Sequence, residues 1–153
     1  MKRKTLVFTI AALFLLTSLS SVYAEFNKLT EFPSAKPTDW DIIVPDDFPT
    51  IQEAVDHAQE YSTIMVRSGI YHENVVIEKS LVLHGENKNT TIIDGGGEHW
   101  VIQVIKASVT IADFTIQHSG NEFFNKTNAG IMLSKSTNSI IRNNYIKNNY
   151  IGI

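Results

Sequence analysis

The side chains in this chain that could do chemistry are few and widely spaced. Asp94 and Asp113 are the acids that flank β-rich runs in its second half, in "TIIDGGG" and "TIADFTI". Two carboxylates held about 5–10 Å apart across a sugar would make a glycosidase pair. Asp94, however, precedes Gly95, Gly96 and Gly97, a tight-turn composition in which aspartate bonds its own backbone. Asp113 lies between Ile111 and Phe114, where a corner is expected. Neither stands in a recognisable catalytic motif, so no catalytic residue is assigned. The histidines, His57, His72, His84, His99 and His118, include no closely spaced pair. Coil stacking could bring His84 and His118 together, since each follows a β-rich run. Copper or zinc needs three or four such ligands, and copper(I) favours sulfur. Met65 and Met132 read as core residues. No metal ligand and no cofactor is therefore assigned.

The aromatic residues offer binding rather than catalysis. Phe123 and Phe124 fall in "SGNEFFNKTNA", and Tyr145 and Tyr150 in the closing "NNYIKNNYIGI". These four are the candidate ligand-binding residues, since aromatic faces stack on sugar rings. Against this stands the tendency of large apolar side chains to bury: the Phe pair would fold over a neighbouring coil and the tyrosines would line its rim. Asn89 in "NTT" and Asn125 in "NKT" match the N-glycosylation acceptor pattern.

Composition narrows the compartment and the partners. Lys2, Arg3 and Lys4 precede an apolar run from Leu6 to Leu16, and Val22 and Ala24 supply a small-residue cleavage signal. Residues 1–24 read as a signal peptide and the protein as secreted or extracytoplasmic, in the periplasm or at the cell surface. The apolar run is shorter than the ~20 residues of a membrane span, so no span is expected after cleavage. The rest keeps ten Lys and Arg against sixteen Asp and Glu, a net of −6. No basic patch appears, which argues against nucleic acid as a partner. The chain has no cysteine, which excludes a disulfide framework, so stability must come from core burial.

The elements follow from periodicity. Residues 25–43 read as a linker or arm, interrupted by Pro33 and Pro37. "TIQEAVDHAQEY" reads as a helix over about 50–61: Thr50 and Glu53 make a capping-box pair, and Ile51, Ala54, Val55 and Ala58 share one face. After Tyr61 come short β-rich runs separated by Gly, Asn, Ser, Lys and Asp. "ASVTIADFTIQHSG" superposes on "NSIIRNNYIKNNYIG" at an offset of 30, Ile111 on Ile141 and Ile116 on Ile146. "GI" at 130–131 recurs at 152–153, a step of 22. Ile141, Ile146 and Ile151 recur every fifth residue, a poor period for a helix and for a straight strand. The step is explained if the chain turns a corner between hits, at asparagines that tolerate the left-handed conformation. Stacked coils with loop insertions satisfy all of this, with asparagine amides laddering between turns and the helix lying as a lid on the first coil.

"VPDDFPTIQEAVDHA", "STIMVRSGIYHENVVIEKSLVLHGENKNTTIIDGGG" and the tail "GIMLSKSTNSIIRNNYIKNNYIGI" resemble right-handed parallel β-helix proteins of the pectin-lyase-like superfamily. The N-terminal part is also similar to pectin methylesterases, and the tail looks like the NosD-type repeat. The resemblance covers about 44–153 and implies an all-β parallel β-helix solenoid with an N-terminal capping helix. The aspartates and arginine that pectin methylesterases carry in later QDTL and DFIFG motifs have no counterpart here, nor do the NTD and GHG motifs of polygalacturonases. The expected function is thus that of a non-catalytic, exported β-helix that presents a face to polysaccharide, cell envelope or another protein. One alternative is the N-terminal part of a carbohydrate-active enzyme with active coils beyond Ile153. A third is the NosD-like role in periplasmic copper supply. Because Ile153 falls in mid-coil, truncation of the chain, or a partner covering the last coil, is expected.

Overall fold

The computed structural model describes residues 39–121 and 128–153. The expected signal peptide and most of the arm lie outside the described residues, as do Phe123, Phe124 and Asn125. In chain order the elements are β1 (Ile42–Val44), α1 (Ile51–His57), β2 (Thr63–Val66), β3 (Gly69–His72), β4 (Val75–Ile77), β5 (Leu81–Gly85) and β6 (Thr91–Asp94). They continue as β7 (Ile102–Ile105), β8 (Val109–Ala112), β9 (Thr115–Gln117), β10 (Ile131–Ser134), β11 (Ile140–Arg142) and β12 (Tyr145–Lys147).

These strands form three parallel sheets. The first runs β1-β2-β5-β8-β11, the second β3-β6-β9-β12 and the third β4-β7-β10. Each circuit of the chain lays one strand on each sheet, so the architecture is a parallel β-helix. Alternation in short strands supplies the inward faces: Leu81, Leu83 and Gly85 of β5 are buried while Val82 and His84 are half-buried outside. The register stacks like on like. Ile42, Ile64, Leu83, Ile111 and Ile141 form one inward column. Ile93, Ile116 and Ile146 form a second, and Val75, Ile102 and Ile131 a third. The offset of 30 between the last two coils is therefore a true structural register. Residues 129 and 151 also pair, so the recurrent "GI" does stack. Ile141 and Ile146 pack against the core half-buried, whereas Ile151 on the last rung remains 38% exposed.

The five-residue step is produced by left-handed corners. Asp113 and Asn143 (φ 66° and 55°) follow the strands of the first sheet, and His118 and Asn148 (φ 58° and 55°) those of the second. Asparagine pays less than most residues for this conformation. The next residue points inward, and there the amides do something other than the expected side-chain ladder. Asn144 Nδ2 donates to the Ile111 carbonyl (2.9 Å) and its Oδ1 accepts from the Phe114 N–H (2.9 Å). Asn149 repeats the device on the Ile116 carbonyl (3.0 Å) and the Ser119 N–H (2.9 Å). The coil beneath offers Phe114 and Ser119 at these places rather than asparagine, so each amide bridges to backbone.

The helix closes the first coil against β1, β2 and β4. It is shorter than the sequence suggests, ending at His57 with Ala58 already extended. The coil sets both ends. Thr50 Oγ1 accepts from the Glu53 N–H (3.2 Å), but the Ile51 and Gln52 N–H groups donate to the Glu73 carboxylate at 3.0 Å each. Lys79 Nζ collects the carbonyls of Val55, Asp56 and Ala58 at 3.2, 2.6 and 3.0 Å. An anion at the N-terminus and a cation at the C-terminus match the helix dipole. Gln52 completes the lid: its Oε1 accepts from Val76 N–H (2.7 Å) and its Nε2 donates to the Val76 carbonyl (3.2 Å), which satisfies the free edge of β4. Two further expectations are corrected. The first ladder begins at Ile42, inside the stretch 25–43 read as arm. Met65 and Met132 are half-buried on outward strand positions rather than in the core.

Glu73→Ala and Lys79→Ala should each lower unfolding stability by about 1–2 kcal/mol in urea titrations, because each leaves helix-terminal groups without partners. Gly85→Ala should cost about 1–3 kcal/mol, since its methyl would clash with the Asp113 carbonyl oxygen and lie 3.1 Å from the Phe114 ring.

Candidate functional site

Three successive rungs of the second sheet deliver their C-terminal corners to one place. Asp94, Gln117 and Lys147 are in register at the ends of β6, β9 and β12. Beyond them the chain turns through Gly95–Gly97 on the first of these rungs, His118 and Ser119 on the second, and Asn148–Tyr150 on the third. Between these turns lies an open cleft of about 560 Å³, lined by Gly96, Gly97, His118, Asn121, Asn148 and Tyr150 among others. Gly96 and Gly97 adopt φ of 67° and 84° with open space beside them, which keeps the floor low.

Asp94 is the buried anchor of this corner. Its Oδ1 accepts from the Gly96 N–H (3.0 Å), the turn bond expected from the sequence. Its Oδ2 accepts from Gln117 Nε2 (2.9 Å) and faces His118 Nδ1 (2.9 Å). Burial by itself would raise the Asp94 carboxyl, but the donors Gln117, Gly96 and His118 outweigh it and hold the group below the usual carboxylate range. An ionised carboxylate only accepts hydrogen bonds, so His118 carries its proton on Nδ1 and leaves Nε2 as a bare acceptor when neutral. The His118 backbone is pinned between rungs, its carbonyl accepting from Gly97 N–H (2.8 Å) and its N–H donating to the Asn148 carbonyl (3.2 Å).

A second polar chain runs along the corner after the first sheet. His84 Nε2 lies 3.2 Å from Asp113 Oδ2, with Trp40 packed against the His84 ring at 5.1 Å. Asn143 Nδ2 donates to Asp113 Oδ1 and accepts on Oδ1 from Lys88 Nζ (2.6 Å). Lys88 also lies 4.6 Å over the Tyr145 ring.

The sequence-derived candidates separate accordingly. Tyr150 lines the cleft, about half exposed. Tyr145 is exposed to the same degree but is occupied by Lys88. Asn89 is exposed in the turn after β5, its N–H bonded to Asn87 Oδ1 (2.9 Å), while Thr91, two residues on, is fully buried and accepts from the Asn87 N–H. His84 and His118 are not paired with each other; each meets an aspartate instead. Asp94 and Asp113 occupy different corners, so they do not form a carboxylate pair. Among the described residues no three His, Asp or Glu side chains gather as a metal site. The Asp94–His118 contact spans 24 residues and depends on register. Asp94 is in register with Gln117, and His118 reaches it from the corner one residue further on.

A search of solved structures returned a pectin methylesterase in complex with a hexasaccharide, at a TM-score of 0.52 and 16% identity. The fold is a parallel β-helix. The likeness covers 65% of this chain and 40% of the esterase. The sequence matches no protein-family profile, and no curated protein matches it. Likeness at this level establishes the β-helix architecture expected from the sequence.

Since the Asp94 carboxyl is held low in the folded state, its contribution to stability is full above the unfolded value near ~4 and is lost as pH falls through the lower folded value. Asp94→Asn should therefore flatten the acid side of a melting-temperature profile below about pH 4, compared at equal ionic strength.

Proposed function

We propose that this β-helix is an exported, extracytoplasmic protein that binds polysaccharide in the cleft beside Tyr150. The observation that carries this reading is the cleft itself. Half-exposed Tyr150 lines it together with Gly96, Gly97 and the polar residues His118, Asn121 and Asn148. Concave sites that combine an aromatic face with a few placed hydrogen-bonding groups suit the alternating apolar and hydroxyl faces of a sugar. The basic and apolar start of the chain supports export, and the NosD-like repeat of the tail supports a role at the cell envelope. On the last rung Leu133 and Ile151 are 37% and 38% exposed beside the half-buried Ile141 and Ile146, which supports a partner chain seated there.

Calorimetric titration with neutral and uronate hexasaccharides tests the reading. At least one neutral hexasaccharide should bind, and Tyr150→Ala should weaken it about tenfold, equivalent to ~1.4 kcal/mol. Tyr145→Ala should leave affinity within about twofold, as its ring faces Lys88 outside the cleft. Heat-silent titrations across the panel, or equal affinity in Tyr150→Ala, would reject the cleft as the sugar site.

A further inference from the structure

We propose that Asp94 and His118 act as a general-base dyad that hydrolyses an acyl ester carried on a sugar hydroxyl in this cleft; the inference rests on the polysaccharide reading above and adds chemistry to it. The dyad is built rather than incidental. Asp94 is 9% exposed and accepts from three donors, and one of its bonds falls on the ring nitrogen of a histidine whose side chain is 46% exposed. His118 lines the cleft in a left-handed conformation (φ 58°) that few histidines adopt. With Nδ1 turned to Asp94, Nε2 lies on the far side of the ring and has no hydrogen bond among the described residues. A buried carboxylate that fixes the tautomer of an accessible imidazole is the orienting half of a general-base pair.

The other groups of the cleft select the reaction. Glycosidic cleavage needs two carboxylates; among the described residues none lines the cleft, and Asp94 behind His118 has its oxygens committed to Gly96, Gln117 and His118. No lysine or arginine lines the cleft among the described residues, so a uronate carboxylate finds no cation there. Ser119 is no nucleophile: it is 6% exposed, and its Oγ accepts from the Tyr150 N–H (3.0 Å). What remains is base-assisted attack of water on an uncharged acyl carbon. A lone pair of the water oxygen forms the new bond to that carbon while Nε2 of His118 takes the water proton. The bond from the acyl carbon to the sugar oxygen then breaks, its electron pair leaving on the sugar oxygen, which takes the proton back from Nε2. The products are a carboxylic acid and the free hydroxyl. The side-chain amides of Asn121 and Asn148, which line the same cleft, are the donors available to the carbonyl oxygen as it gains charge.

The full chain should release acetate from acetylated xylohexaose faster than buffer does. His118→Asn, which tolerates the left-handed backbone, should lower kcat by about 10²-fold or more, far beyond any change it makes to the affinity for unmodified hexasaccharide, with the fold retained by circular dichroism. Asp94→Asn, a positioning change, should lower kcat for the acetylated hexasaccharide while leaving its KM within about twofold, because the imidazole is no longer held in the productive tautomer. Acetate release no faster than buffer, or release unchanged in His118→Asn, overturns the dyad. Binding that survives in that case and still depends on Tyr150 leaves the polysaccharide reading standing, whereas absence of binding removes both.

Discussion

Everything in this molecule depends on one repeat constraint: each rung must place a branched aliphatic side chain directly over its counterpart on the rung below. Parallel ladders hold neighbouring strands about 4.8 Å apart, which is the contact distance at which one isoleucine covers the next. The columns through Leu83, Ile111 and Ile141, and through Ile93, Ile116 and Ile146, meet that constraint despite coil lengths that differ. Variation in length is confined to the corners, where loops leave the prism without disturbing register.

A solenoid built this way has two weaknesses, its bends and its ends, and the chain treats both with side-chain amides. Gln52, Asn144 and Asn149 each offer one carbonyl oxygen and one N–H pair to backbone groups of a neighbouring coil, so each stands in for a peptide unit. At the bends this spans the gap left where a strand stops. At the first coil it seals the edge of β4 beneath the helix. The helix is only seven residues long and would not persist alone. It exists because Glu73 and Lys79 hold its two ends and because Ile51, Ala54 and Val55 bury against the coil.

The same corners create the chemistry. A residue that follows a strand in the left-handed conformation is turned toward the surface, next to the corner of the rung below. His118 reaches Asp94 for this reason, and Asn143 reaches Asp113. The solenoid thus converts sequence separations of 24 and 30 residues into direct hydrogen bonds. The flexibility of glycine at 96 and 97 leaves room in front of the first of these pairs, and Tyr150 from the next rung walls it. The arrangement joins a rigid ladder to exposed functional groups, which is how preorganised sites are held.

The sequence by itself determined the coil architecture, the inward columns and the capping helix, because these follow from local period: alternation within strands, the five-residue step at 141–151, and the offset of 30 that puts Ile111 under Ile141. It also marked Asp94 as a turn residue and Tyr150 as a rim aromatic. The tertiary structure alone decided where the helix stops, since Lys79 and Glu73 act on it from more than twenty residues away. It alone decided that His118 meets Asp94 rather than His84, and that Met65 and Met132 face outward. Those outcomes rest on strand register and on which residue takes the corner, and a one-residue slip in either would turn each side chain to the opposite face.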